Sequence, residues 1–386
     1  MKVLIAGAGC CGAAAARRLA EYGHHVTVAD RRSHVGGNAY DQRDEHGILY
    51  HIYGPHVFFT DRERVWQFLS PYAQWVPFRC SLRVWIEGES HPMPFQPETL
   101  RRLLPDTGRT AVETMRQLWH DRDRITVFDL LNAPDPLLRE TGQRLYDCDC
   151  LPYNQKQWGL QPEKLLPEVI ARAPVYLTDR QDFRSERFQF MPTDGFASLF
   201  HTMLDHPFIQ VLTNTDVLEL FGISKGKIQW KTGQTWDAVL YTGPLDQLFA
   251  NRAGVLPYRT LRFDRQTLEP QKGLPCLAMY YPEPEFPWTR RTDYRYLPGN
   301  NLVTGKTLVI GEQPGPVVTP ADDRYYVVLT EHSKHIHQQY QNMLKQIPHL
   351  YAAGRLADFR YYNMDESLER GLDMAEEIHR QERGSI

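Results

Sequence analysis

The N-terminal residues carry a spacing that can grip a dinucleotide. Gly7-Ala8-Gly9-Cys10-Cys11-Gly12 follows the apolar run Val3-Leu4-Ile5-Ala6 and precedes an alanine-rich segment that stops at Gly23. His25-Val26-Thr27-Val28-Ala29 then ends at Asp30, 23 positions after the first glycine. In a strand–turn–helix setting, Gly7 allows the tight turn, Gly9 lets the backbone approach a pyrophosphate, and Gly12 lets helix and strand pack closely. The start of the helix, with Cys11 in its first turn, offers free N–H groups and a positive dipole end to the phosphates. Asp30 can accept hydrogen bonds from a ribose. The predicted ligand is a dinucleotide.

Two further segments decide which dinucleotide. Arg32-Ser33-His34-Val35-Gly36-Gly37-Asn38 sets an arginine and a glycine doublet just past the second strand, a feature that FAD-binding proteins use and a plain nicotinamide dehydrogenase does not need. Near the other end, Leu350-Tyr351-Ala352-Ala353-Gly354-Arg355 reads as a strand running into glycine. Met364-Asp365-Glu366-Ser367 then opens a helix whose Leu368, Leu372 and Ala375 share one face. That helix can aim its N-terminus at a flavin ring, where reduction leaves negative charge. The expected cofactor is FAD, held in a discontinuous domain closed by both chain ends.

The elements between must place these groups. Residues 100–170 are rich in Leu and Arg at helical spacing, whereas 73–95 and 255–315 are rich in Tyr, Val, Pro and β-type residues. With 386 residues the chain has room for two or three domains. The balance of 44 Lys+Arg against 47 Asp+Glu argues against a protein whose main partner is nucleic acid or an anionic membrane. No apolar run is long enough for a membrane-spanning helix. Six cysteines without a CxxC pair predict no disulfide framework and a cytoplasmic setting. Cys148-Asp149-Cys150 lacks a second ligand pair, and His332 to His337 reads as a solvated helix face, so no metal is expected.

Several segments in order then resemble the UDP-galactopyranose mutase family of flavoenzymes. They are His51-Ile52-Tyr53-Gly54-Pro55-His56-Val57-Phe58-Phe59-Thr60-Asp61, Tyr153-Asn154-Gln155-Lys156-Gln157-Trp158-Gly159, and Arg172-Ala173-Pro174-Val175. Phe188-Gln189-Phe190-Met191-Pro192, Gly243-Pro244-Leu245-Asp246, Tyr258-Arg259-Thr260-Leu261, Trp288-Thr289-Arg290 and the stretch from Gly354 through Arg360-Tyr361 continue the series. The resemblance spans residues 1 to about 380.

It implies an α/β fold of three parts. A Rossmann-like FAD-binding domain comprises 1–72, 195–245 and 318–386; a small inserted helical domain covers 96–172, with a mobile loop at about 164–180; a twisted antiparallel sheet comprises 73–95, 173–194 and 246–317. The implied activity is that of an isomerase converting UDP-galactopyranose to UDP-galactofuranose, for cell-surface polysaccharide. The flavin acts reduced, its N5 attacking the anomeric carbon as the nucleoside diphosphate leaves. NAD(P)H or another reductant is implied as a transient partner, and a homodimer is compatible with the family.

By matching positions, Arg172 and Arg290 clamp the diphosphate, with Tyr326 and Tyr361 beside it and His56 against the flavin. Arginine suits that task because its planar fork holds phosphate oxygens bidentately. Tyr153, Asn154 and Trp158 would meet the nucleotide, and Arg259, Tyr361, Asn363 and Met364 would join Gly354 and Arg355 around FAD. Departures from the family pattern gather at the sugar and nucleoside: Phe59, Cys80, Phe183, Tyr280 and Asn363 replace other residues, and Asp149 and Cys150 stand where two phenylalanines are usual. Two other readings stand beside this one. An FAD oxidoreductase of the amine-oxidase or desaturase type would not need the paired arginines, and a non-catalytic binder on the same scaffold would not need its glycines intact.

Overall fold

The computed structural model describes the chain except residues 167, 168, 170–173, 180, 181, 183, 301–304, 320, 321 and 384–386. Apolar strands Lys2–Ala6, His25–Ala29, Ile209–Leu212, Ala238–Tyr241 and Leu350–Ala352 form one five-stranded sheet. All its pairings are parallel, and its order runs 209–212, 25–29, 2–6, 238–241, 350–352. Both faces are covered, so Val3, Leu4 and Ile5 are fully buried in succession rather than in alternation. The expected Rossmann-like arrangement is present, and it is assembled from both ends and the middle of the chain.

Two helices pack against each other beside this sheet. The helix Cys10–Glu21 buries Ala13, Ala14, Ala15 and Ala16 completely. Their small size lets the helix Met364–Arg383 come close, where Leu368, Leu372 and Ala375 are fully buried. The approach is tight enough that a Cβ on Gly371 would lie 2.2 Å from the Cys11 carbonyl oxygen. Small residues on both helices therefore set the position of each helix start relative to the other.

The second large sheet has seven strands and carries Tyr280 and Arg290. Its long pair, Tyr258–Leu268 with Thr307–Pro316, is antiparallel over ten residue pairs. The expected antiparallel sheet is nonetheless mixed, because Ala278–Tyr280 pairs in parallel with Leu82–Ile86. Tyr326–Val327, grouped above with the FAD-binding stretch, is an edge strand of this sheet on Tyr258 and Arg259. Trp75–Pro77 leaves it, joining Phe188–Pro192 and Phe58–Thr60 in a separate three-stranded sheet.

Helices Pro97–Leu103, Gly108–Leu118, Val127–Leu131 and Pro136–Leu145 form the helical part, with a core of Leu100, Ala111, Leu130, Leu138 and Leu145. The last of them passes through a π-helical turn, Tyr146–Cys150, into the helix Leu151–Trp158. That helix lies against the seven-stranded sheet: Lys156 Nζ donates to the carbonyls of Glu283, Phe286 and Trp288 at 2.8, 2.8 and 2.9 Å. No described helix is long and apolar enough to cross a membrane.

Candidate active site

One cavity of about 950 Å³ runs from the glycine loop to the helical part. Its first end is shaped by contact between glycines. Gly7 has φ +102°, and a Cβ there would lie 2.3 Å from Thr242 Oγ1. A Cβ on Gly12 would lie 2.0 Å from the Gly7 oxygen, and one on Gly37 would lie 2.9 Å from the Gly9 Cα. The glycine loop and the glycine doublet thus touch backbone to backbone, joined by a hydrogen bond from Gly36 N–H to the Ala8 oxygen at 2.8 Å. The result is a cradle of bare backbone N–H groups at the start of the helix, into which a side chain would intrude.

Polar groups around the cradle orient one another. Asp30 Oδ2 accepts from the Ala8 N–H at 2.8 Å, and its Oδ1 from the Arg32 N–H at 2.9 Å. A carboxylate has about four lone-pair directions, so capacity for ribose hydroxyls remains. Arg32 donates to Asn38 Oδ1 at 3.0 Å and to Asp323 Oδ1 at 2.9 Å, with its guanidinium 4.0 Å from the Tyr53 ring centre. Burial pushes the Cys10 thiol up to about 12 and raises Cys11 as well, so neither presents a thiolate to a pyrophosphate. The cradle fits FAD, with Gly7, Gly9, Cys11, Gly12, Asp30 and Arg32 placed to hold it. Gly354 and Arg355 line the same cavity just past the strand Leu350–Ala352, and Asn363 and Met364 do so at the start of the late helix.

The middle of the cavity concentrates charge and aromatic rings. Arg290, at the start of the strand Arg290–Asp293, donates through Nε and Nη2 to the two oxygens of Glu312 at 2.8 and 2.9 Å. Glu312 is 3% exposed. Although burial works against the charge of Arg290, Glu312 outweighs it and raises the arginine well above its usual value. Glu312 therefore engages two of the five guanidinium N–H groups and Tyr280 bonds to the guanidinium as well, with further N–H donors remaining for a ligand. The Arg355 guanidinium lies 5.0 Å from the ring centre of Tyr326 and 4.6 Å from that of Tyr361; the two tyrosines stack at 5.6 Å. Its Nη2 donates to the Tyr325 carbonyl. Burial, with Tyr361 next, raises Tyr326, so its hydroxyl stays protonated and can donate.

His56 faces this region in a defined tautomer. Its Nδ1 lies 2.8 Å from the Gly54 carbonyl, which can only accept, so Nδ1 carries the proton and Nε2 the lone pair. Its backbone N–H donates to His51 Nδ1 at 2.7 Å. Burial pulls the His56 imidazole down to about 4, which keeps it neutral near pH 7.

At the far end, Tyr153, Asn154 and Trp158 line the cavity from one helix, together with Cys150 and Tyr280. Trp158 meets Tyr326 edge to face at 5.8 Å, and Tyr153 lies 6.0 Å from Tyr280. Asn154 spends its amide on the Cys150 carbonyl at 2.6 Å.

Three sequence expectations are corrected. Arg259 does not line the cavity; it donates to the carbonyls of Gln157 and Lys156 at 2.9 and 3.0 Å, closing the end of the helix Leu151–Trp158. Cys80 is buried outside the cavity lining. His337 is not on a solvated face, being 8% exposed with Nε2 donating to the Ala357 carbonyl at 2.8 Å. Arg172 and Phe183 lie outside the described residues. Glu312, Asp323 and Thr289 were not found from sequence, because nothing local marks them and their partners come from distant segments.

The fold and the cradle define a flavin-dinucleotide enzyme with a second, arginine-lined compartment. A family model described as UDP-galactopyranose mutase matches residues 150–361, and one described as NAD(P)-binding Rossmann-like domain matches residues 5–72. The dTDP-fucopyranose mutase of Escherichia coli is 30% identical over 381 residues, covering 97% of each chain. The UDP-galactopyranose mutase of Mycoplasma pneumoniae is 28% identical over 386 residues, covering 97% of this chain and 95% of its own. A crystal structure of reduced UDP-galactopyranose mutase superposes with a TM-score of 0.74 at 19% identity, covering 98% of this chain and 94% of that one. The chain belongs to the UDP-galactopyranose mutase family, isomerases that use FAD and interconvert the pyranose and furanose forms of nucleotide-linked sugars.

Proposed function

We propose that this enzyme converts UDP-galactopyranose to UDP-galactofuranose in the cytoplasm, with FAD that must be reduced but is not consumed. The observation that carries this reading is the pair Arg290–Glu312 facing Arg355, Tyr326 and Tyr361 in one cavity with the FAD cradle. When bound, reduced FAD supplies the nucleophile for the anomeric carbon. The chain's own residues deal with the leaving diphosphate. Glu312 locks the Arg290 plane, so the remaining N–H donors meet the developing negative charge without reorienting. Arg355 adds a second cation, and the two tyrosine hydroxyls donate to phosphate oxygens. Neutral His56 presents Nε2 as an acceptor and leaves the positive charge to the arginines. The resemblance implies Arg172 as a further arginine of this clamp. The reductant, NAD(P)H or another donor, acts only to reload the flavin.

A second reading changes the sugar. The 30%-identical relative is named for dTDP-fucopyranose, and the replacements Phe59 and Tyr280 fall in the expected sugar pocket. Incubating dithionite-reduced protein with UDP-galactopyranose and with dTDP-fucopyranose separates the two by which furanose forms. Steady NAD(P)H oxidation coupled to substrate, with no furanose from either, would support an oxidoreductase instead.

A further inference from the structure

The helix-lined end of the cavity holds a buried acid that none of these steps uses. Asp149 is 5% exposed and lines the cavity from the π-helical turn Tyr146–Cys150, a backbone irregularity that recurs at functional sites. Among the described residues no hydrogen bond or ion pair reaches its carboxyl. Charged neighbours are engaged elsewhere. Asp147 accepts from Gln143, Arg144 pairs with Glu87, and Glu163 accepts from the Tyr146 hydroxyl. On the adjoining helices Arg139 donates to the Ala133 and Pro134 carbonyls, Lys156 to three carbonyls, Asp129 caps its own helix, and Glu140 points to solvent. Burial pushes the flanking thiols Cys148 and Cys150 up to about 12, so they carry no charge, and burial alone lifts Asp149 to about 7.

A carboxyl in this position is unsuited to a phosphate, which like charge would repel. Phe95, Val127 and Tyr153, which line the same cavity, suit a flat ring. A neutral carboxyl offers an O–H donor beside a C=O acceptor. That pair is complementary to an N–H beside a C=O. We infer that Asp149, buried without a partner and lining the cavity, reads the base of the nucleotide sugar, its carboxyl forming two parallel hydrogen bonds with the N3–H and adjoining carbonyl of a uracil or thymine ring. The inference rests on the nucleotide-sugar reading of the cavity and adds its specificity-determining residue. With FAD in the glycine cradle and the sugar against the flavin, the base is the part of the substrate that extends past Arg290 to this end.

Calorimetric titration of the oxidised holoenzyme tests it, with UDP-galactopyranose, dTDP-glucose and GDP-mannose, whose diphosphate diesters keep constant charge between pH 6 and pH 8. Binding that needs the protonated acid should weaken about tenfold for the two pyrimidine ligands from pH 6 to pH 8, as the neutral fraction falls through a value near 7. Asp149→Asn presents the same donor and acceptor, so it should bind at both pH values as the wild type does at pH 6. Asp149→Ala should lose about tenfold or more at both. Pyrimidine binding that is independent of pH in the wild type, or lost in Asp149→Asn, would overturn the inference. So would tighter binding of GDP-mannose, because an ionised carboxylate prefers the paired N–H donors of guanine. Failure of all three ligands to bind the wild type at either pH would instead overturn the nucleotide-sugar reading beneath it.

Discussion

The two ends of the cavity are built by different physics. At the dinucleotide end the determinants are steric: Gly7, Gly12 and Gly37 leave room by lacking a side chain, and the backbones of Gly9 and Gly37 meet. At the substrate end the determinants are side chains held by other side chains, as Arg290 is by Glu312. The first kind tolerates almost no substitution and gives a fixed cradle for a resident cofactor. The second can be retuned one pair at a time, which is how one family can serve sugars and bases that differ.

That contrast can be broken experimentally. The largest effect is expected from Gly12→Ala, whose Cβ would lie 2.0 Å from the Gly7 oxygen. It should cost about 3 kcal/mol by overpacking and abolish retention of FAD, read from the denaturant midpoint and the visible flavin absorbance. Normal flavin content would show that the cradle is not the cofactor site. Next, Arg290→Lys keeps the charge but not the fork; turnover should fall about 100-fold while the flavin spectrum stays that of the wild type. Glu312→Gln leaves Arg290 charged and loosens its plane, and kcat should drop about tenfold with flavin content unchanged. The smallest change in activity belongs to Arg259→Met. It removes two hydrogen bonds from a helix end, so stability should fall by about 1 to 3 kcal/mol with FAD retained and turnover nearly normal. Loss of flavin at full stability would return Arg259 to the cofactor site.

The same contrast explains what was legible beforehand. The glycine loop, the acid at Asp30 and the late helix with Leu368 and Leu372 are encoded within short windows, where spacing alone dictates a turn or a buried face. Tyr326, Tyr361 and Arg290 were recoverable only through resemblance, since nothing in their immediate neighbours marks them. Glu312 and Asp323 were not recoverable, because their partners lie 22 residues away and, for Asp323, nearly 300. Arg259 was misread for the same reason: the helix end that it closes lies 102 residues before it. The parallel pairing of Ala278–Tyr280 on Leu82–Ile86 is equally non-local, and composition reports strand content without strand direction.

On the proposed mechanism the arginine-lined compartment releases and recaptures a sugar-linked diphosphate. The most direct test places ¹⁸O in the anomeric bridging position of the nucleotide sugar that turns over and follows its position by phosphorus NMR. With reduced enzyme the label should scramble between bridging and non-bridging positions, about 100-fold more slowly in Arg290→Lys, and not at all with oxidised enzyme. Furanose formation with the label held entirely in the bridge would contradict release of a diphosphate that is free to turn before it is recaptured.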